Sequence, residues 1–222
     1  MKKVKISPSI FAADFLKLGE EIKKLEKLGV DYIHYDIMDN HFVPNISFGP
    51  LIVETISKNT FIKGDVHLMT DLSESVVSKF FIKGIEIITL HIEANGFSKK
   101  LINFIKENDF KVGIAIKPKT SINEIIPYLD IVDLILVMTV EPGFSGQKII
   151  HETVTKVKEL SNLISNLGKE IDIEVDGGIN ASNINQLIND GANIIVMGSF
   201  FFSGDNSKKI IEFIRDKYEK VS

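Results

Sequence analysis

Eight apolar, β-branched segments alternate with amphipathic stretches, and their C-terminal exits recur about every 27 residues from Ser9 to Gly198; this rhythm predicts a (β/α)8 TIM barrel. The polar residues support it, because Ser9, His34, Asp36, His67 and Asp176 all fall at strand exits, the end where such barrels carry their chemistry. The alternative, a doubly wound open sheet, is disfavoured because no Gly-rich dinucleotide fingerprint follows the first strand. At 222 residues, with no linker or shift in composition, a single catalytic domain over residues 1–222 is expected.

The elements follow in order. Val4 to Ile10 reads as a short strand ending at Ser7-Pro8-Ser9. Residues 14–28 have helical period, with Phe15, Leu18, Ile22 and Leu25 on one stripe and Gly29 as a left-handed stop. Val30 to Ile37 is the second strand; alternation puts His34 and Asp36 on one face, with Ile33, Tyr35 and Ile37 on the other. Phe48-Gly49-Pro50 opens a helix expected to bury Leu51, Ile52, Thr55 and Ile56. Phe61 to Met69 contains the third strand, and Asp71 with Glu74 predicts a capped helix with Val76, Val77, Phe80 and Phe81 inside. Ile85 to His91, Lys111 to Ile116, Leu134 to Val140, Ile171 to Val175 and Asn193 to Met197 complete the strands. Helices are expected over 97–107, near 122–126, and over 148–166, 181–190 and 207–219.

Composition narrows the function classes. Lys+Arg 26 against Asp+Glu 30 gives a net charge of -4, dispersed along the chain, so nucleic-acid binding has no electrostatic support. There is no Cys, which removes thiolate chemistry and disulfides. No apolar run approaches the roughly 18 residues of a membrane span. A cytoplasmic protein without membrane or nucleic-acid partners, forming a homo-oligomer, is the expectation.

Closing the barrel brings His34 and Asp36 (strand 2), His67 (strand 3) and Asp176 (strand 7) to one mouth. Two imidazoles and two carboxylates suit one divalent ion such as Zn²⁺, Mn²⁺, Fe²⁺ or Co²⁺. Each residue also has an ordinary structural reading, which their joint placement makes less favourable. His91 ends strand 4 and is read as supporting the site from behind; His41 and His151 receive no catalytic role. Pro142-Gly143-Phe144-Ser145-Gly146-Gln147 after strand 6, Gly177-Gly178 after strand 7 and Gly198-Ser199 after strand 8 are glycine-bearing turns whose backbone N–H groups can approach an anion, and the last two follow the strands after which barrels often hold phosphate.

These motifs resemble the ribulose-phosphate 3-epimerase family over nearly the whole length. The resemblance rests on Ser7-Pro8-Ser9-Ile10 with Ala13-Asp14-Phe15, on His34-Tyr35-Asp36-Ile37-Met38-Asp39 with His41-Phe42-Val43-Pro44-Asn45, and on Asp65-Val66-His67-Leu68-Met69. It continues in Val137 through Gln147 and in Glu174-Val175-Asp176-Gly177-Gly178-Ile179. Three departures stand out: Asn40 where the family usually has Gly, Ser145 at an often-Gly position, and the bulky Phe200-Phe201-Phe202 after Gly198-Ser199.

The resemblance implies epimerisation of D-ribulose 5-phosphate to D-xylulose 5-phosphate in the pentose phosphate pathway. Asp36 and Asp176 would flank C3 as acceptor and donor, exchanging a proton through an enediolate. His34, Asp36, His67 and Asp176 would hold the metal, and Met38, Met69 and Met138 would cap the site. Ser9, His67, Gly143, Phe144, Ser145, Gly146, Asp176, Gly177, Gly178, Gly198 and Ser199 would touch the phosphosugar. A sister activity on D-allulose 6-phosphate would use the same metal and acid/base residues. A phosphosugar lyase or decarboxylase is less consistent, since His67 stands where those related barrels carry Lys. A non-catalytic phosphosugar sensor would not need both carboxylates.

Overall fold

The computed structural model describes residues 2–219. The ends of the expected 1–222 domain, Met1 and residues 220–222, lie outside the described residues. Eight parallel strands form one sheet: β1 (Lys5–Pro8), β2 (Tyr32–Met38), β3 (Lys63–Met69), β4 (Ile85–His91), β5 (Lys111–Ile116), β6 (Leu134–Met138), β7 (Asp172–Asp176) and β8 (Ile194–Met197). Each pairs with its sequence neighbour from β2 to β8, and β8 pairs with β1. The last seam, between β1 and β2, is joined by a parallel bridge between Ser9 and His34. The Asp31 N–H also donates across it to the Ile6 carbonyl at 3.0 Å. The chain is a (β/α)8 barrel.

The helices are α1 (Leu18–Leu28), α2 (Pro50–Lys58), α3 (Glu74–Val77), α4 (Lys99–Lys106), α5 (His151–Asn166), α6 (Ile184–Asn189), α7 (Ser199–Phe202) and α8 (Asn206–Ile214). Gly29 ends α1 at φ 65°, as expected of a left-handed cap. Ile33, Tyr35 and Ile37 of β2 face the helix-covered outer core, while Tyr32 joins a separate apolar cluster with Leu134, Leu136 and Ile194. Alternation along β2 therefore sends His34 and Asp36 inward. The β2–β3 register sets His34 opposite Asp65 and Asp36 opposite His67.

Several local expectations change. Residues 15–17 form a 3-10 turn rather than the start of α1, and Phe15 is exposed, its ring tilted at 48° to that of Phe48 with centroids 5.9 Å apart. Ile56 is buried as expected, but Leu51 is 74% exposed, Thr55 is exposed too, and Val53 is buried in their place; apolar residues on adjacent positions left the face ambiguous. Asp71 does not cap α3. The Ser73 side chain does, accepting from the Val76 N–H, while the Asp71 N–H donates to Asp39 Oδ2 and its carboxylate accepts from Asn95. The short helix near 122–126 is a 3-10 segment, Ile122–Tyr128. The helix α7 was not expected; it carries Phe201, fully buried in the outer core.

Asn40, the departure in the β2 loop, has φ 61°. Asn tolerates this left-handed conformation far better than most non-glycine residues. Asp39 organises the same loop, accepting from the His41 and Phe42 N–H groups. The Asn45 amide then donates to the Gly143 carbonyl at 2.7 Å, joining this loop to the one after β6.

Candidate active site

At the strand exits the barrel interior becomes polar. Ligand-type atoms of His34, Asp36, His67 and Asp176 lie within 4.8 Å of one another. His34 Nε2 is 3.4 Å from Asp36 Oδ1 and 3.3 Å from His67 Nδ1. His67 Nδ1 is 3.3 Å from Asp36 Oδ1 and 3.9 Å from Asp176 Oδ2. Both imidazoles are fully buried, and Ser9 Oγ donates to Asp36 Oδ2 at 2.5 Å.

The backbone around the carboxylates is held from behind. Ser47 Oγ donates to the Asp36 carbonyl at 2.5 Å and accepts from the Met38 N–H. The Thr139 N–H donates to the Asp176 carbonyl at 2.7 Å, and its hydroxyl reaches the Gly177 carbonyl. The two acid groups therefore project from anchored strand ends.

Beneath this ring lies a second polar layer with no assigned role in the sequence reading. His34 Nδ1 donates to Asp65 Oδ2 at 2.6 Å, and Ser7 Oγ donates to the same oxygen. Glu174 Oε1 is 3.7 Å from His34 Nδ1, and Asp65 and Glu174 are fully buried. A sequence signal existed: Asp65 and Glu174 precede His67 and Asp176 by two residues, hence share their faces one layer deeper. On the other side, His67 Nε2 is 2.9 Å from His91 Nε2, and His91 Nδ1 is 3.0 Å from Glu93 Oε2. His91 thus stands behind His67, and Glu93, two residues on in the same stretch, stands behind His91 in turn.

Electrostatics separates the two carboxyls. Burial works to raise Asp36, but His34 and then His67 beside it hold it well below the ordinary carboxylate range. Asp176 is pushed up to about 6, first by burial and then by the negative charge of Asp36. Burial opposes a charge on His34, yet Asp65 and Asp36 outweigh it and raise its pKa well above the usual imidazole value. Burial, chiefly, takes His91 down to about 4, so this ring is neutral at neutral pH. Burial and then Asp65 push Glu174 well above the usual range. One carboxyl disposed to be ionised facing another disposed to hold a proton is the pairing that acid/base exchange requires.

The donor set fits a divalent transition ion. It mixes imidazole nitrogen with carboxylate oxygen, and each imidazole's other nitrogen is engaged behind the cluster, His34 with Asp65 and His67 with His91.

Above the cluster opens a cavity lined by Ser9, Asp36, Met38, Met69, Met138, Gly143, Phe144, Ser145, Gly146, Asp176, Gly177, Gly178, Gly198 and Ser199. Every residue expected to touch substrate lines it except His67, which sits below, fully buried. Phe11 and Val140 also line it and were not foreseen, and so does Phe200, one of the bulky residues noted after Gly198-Ser199. Of the three Phe after Ser199, Phe200 alone reaches the cavity. His41 is exposed, and His151 opens α5 away from the cavity.

Comparison with known proteins adds to this geometry. Residues 5–202 match the model of the ribulose-phosphate 3 epimerase family. The chain is 44% identical over 213 residues to ribulose-phosphate 3-epimerase of Bacillus subtilis, covering 96% of this chain and 98% of that protein. It is 39% identical to the Escherichia coli K12 protein of that name, over 100% of this chain and 99% of that one. Among solved structures, a tryptophan synthase alpha-subunit from Pyrococcus furiosus matches with a TM-score of 0.68 at 13% identity, covering 100% of this chain and 99% of that one. At that identity the likeness shows the barrel fold alone. No helix among the described residues is long and apolar enough to cross a membrane.

Proposed function

The chain belongs to the ribulose-phosphate 3-epimerase family and is an isomerase acting on carbohydrates; from that premise we propose that it inverts C3 of D-ribulose 5-phosphate, giving D-xylulose 5-phosphate, by exchange of a proton between Asp36 and Asp176. The observation that carries this reading is the pair itself: two anchored carboxyls in one buried cluster, one held low and the other raised to about 6. The C3 proton is adjacent to the C2 ketone, so its removal yields an enediolate. Inversion requires removal on one face and delivery on the other. Asp36, ionised, takes the proton; Asp176, protonated, supplies one to the opposite face, and the roles exchange in reverse.

His34, Asp36, His67 and Asp176 would hold one divalent ion, Zn²⁺, Mn²⁺, Fe²⁺ or Co²⁺. When bound it would supply Lewis acidity that makes the C3 proton easier to remove. Ser9 hydrogen-bonds Asp36 and fixes the orientation of its carboxylate. Met38, Met69 and Met138 line the cavity beside the carboxyls, where they exclude water and strengthen the local electrostatics. The turns at 143–146, 177–178 and 198–199 receive the sugar and phosphate.

Turnover in deuterated water, with metal supplied, should place deuterium at C3 of the ribulose 5-phosphate and xylulose 5-phosphate pool. Interconversion without exchange at C3 would sink the two-carboxyl scheme. Faster turnover of D-allulose 6-phosphate than of ribulose 5-phosphate would redirect the substrate while leaving the chemistry intact.

The phosphate end has its own test. Gly178 has φ 65°, and a Cβ there would lie 2.5 Å from the Ile149 nitrogen and 2.9 Å from the Gln147 carbonyl oxygen. Gly178→Ala must therefore displace the β7 loop from the β6 loop. We expect KM for the sugar phosphate to rise by about tenfold or more with a smaller change in kcat, since the carboxyls sit on separately anchored strand ends. An unchanged KM would remove this turn from the phosphate site.

A further inference from the structure

We propose that Glu93 and His91 form a positioning relay that sets the tautomer of His67, so that a lone pair on His67 Nδ1, and not an N–H, faces the Asp36–Asp176 cluster. The proposal rests on the metal-centre reading above and deepens it by naming what prepares one of the ligands.

Hydrogen-bond direction sets the tautomer, starting from Glu93. Glu93 Oε1 accepts from the Lys117 backbone N–H at 2.7 Å and from the Thr120 hydroxyl. A backbone amide can only donate, so this end of the side chain must be an acceptor. As a carboxylate, Glu93 is an acceptor at Oε2 as well. Burial opposes its ionisation, but the bonds from His91, Thr120 and the Lys117 N–H prevail and hold it at about 2. His91 Nδ1, 3.0 Å from Oε2, therefore carries a hydrogen. The ring is fully buried between the Phe42 ring and a second imidazole, surroundings that favour a single ring hydrogen, and with that hydrogen on Nδ1 the His91 Nε2 has a lone pair. It lies 2.9 Å from His67 Nε2, and two ring nitrogens at that separation need one hydrogen between them. His67 Nε2 supplies it. The lone pair of His67 is then on Nδ1, the atom 3.3 Å from Asp36 Oδ1 and 3.9 Å from Asp176 Oδ2.

Packing keeps the relay in register. His91 is fully buried between Phe42, with ring centroids 4.7 Å apart, and His67, stacked at 5.0 Å. Phe42 is itself covered by the Lys117 ammonium, 3.8 Å from its ring centroid. The relay thus draws on the loops after β2, β4 and β5, and none of its members Glu93, Thr120 or Lys117 lines the substrate cavity.

Glu93→Gln separates this role from a merely structural one. The Lys117 N–H and Thr120 hydroxyl claim the amide oxygen, so the NH2 group faces His91 Nδ1 and donates to it. His91 then carries its hydrogen on Nε2, His67 Nε2 accepts, and the His67 hydrogen moves to Nδ1, inside the cluster. Glu93→Ala removes the bias without imposing the wrong tautomer. Zn²⁺ titrated into metal-stripped protein by calorimetry should bind Glu93→Gln about 10- to 100-fold more weakly than wild type, the scale on which such supporting partners act, with Glu93→Ala in between. A structural role predicts the reverse order, because Gln preserves shape and Ala does not. Nitrogen-15 NMR of zinc-loaded wild type should show hydrogen on His91 Nδ1 and on His67 Nε2. Zn²⁺ affinity in Glu93→Gln equal to wild type, or higher than in Glu93→Ala, overturns the relay, as do the opposite tautomers in wild type, a measurement that needs no variant to fold. Wild type that binds no Zn²⁺ overturns the metal reading and the relay with it; wild type that binds while Glu93→Gln matches it overturns the relay alone.

Discussion

Asp176→Asn is expected to lower turnover by several orders of magnitude while making the metal-free fold more stable. The first effect follows from removing one of the two groups that exchange the C3 proton, a group that also offers a ligand to the ion. The second follows from linkage. The folded protein holds the Asp176 carboxyl at about 6, through burial and then Asp36, against roughly 3.9 in an unfolded chain. Below about pH 4 both states are protonated and folding incurs no penalty here. As pH rises from about 4 to 6 the unfolded state releases its proton first, so the penalty grows, and above 6 it levels off on the order of 3 kcal/mol. Asn carries no such penalty. Denaturant melts of metal-free protein should show Asp176→Asn more stable than wild type at pH 7, with the gap closing towards pH 4. Turnover above about a tenth of wild type would count against the proton exchange; a pH-independent gap would count against the raised carboxyl.

Removal of metal is expected to abolish activity, and Zn²⁺, Mn²⁺, Fe²⁺ or Co²⁺ to restore it. The same ion should raise the melting temperature by mass action, because it binds the assembled cluster and not the unfolded chain. Four ligand atoms drawn from β2, β3 and β7 are within 4.8 Å only when the barrel is closed. Chelation followed by activity and melting measurements checks both effects. Full turnover in rigorously metal-free protein would leave the carboxyls working without a Lewis acid. A gain in stability without recovery of turnover would make the site structural.

Much of the barrel was legible because its determinants are local and repeated. Strand alternation put His34 and Asp36 on one face without any tertiary information, and β4 and β5 run as expected over Ile85–His91 and Lys111–Ile116. The helices were less readable at their ends. Apolar residues on consecutive positions of α2 allowed more than one buried face, and only the packing against the sheet chose Val53 and Ile56 over Leu51. Asp71 was a plausible cap on spacing, but its hydrogen bonds are spent on Asp39 and Asn95, contacts from distant segments. Asn40 departs from the family's Gly in sequence but not in backbone, since its φ of 61° is the conformation Gly would supply.

The sequence by itself determined which residues stand at the strand exits, and so named Asp36, Asp176, His34 and His67 as one set. That follows from period-two geometry and from the closure of eight repeats, both of which a chain carries in its residue order. Only the tertiary structure decided what each of those groups experiences. Burial and the charge of Asp36 raise Asp176, His34 and His67 lower Asp36, and Asp65, His91 and Glu93 engage the far sides of the imidazoles. These are through-space effects of desolvation and Coulomb interaction between residues up to 140 positions apart, Asp36 and Asp176, and they exist only once the barrel has brought them together.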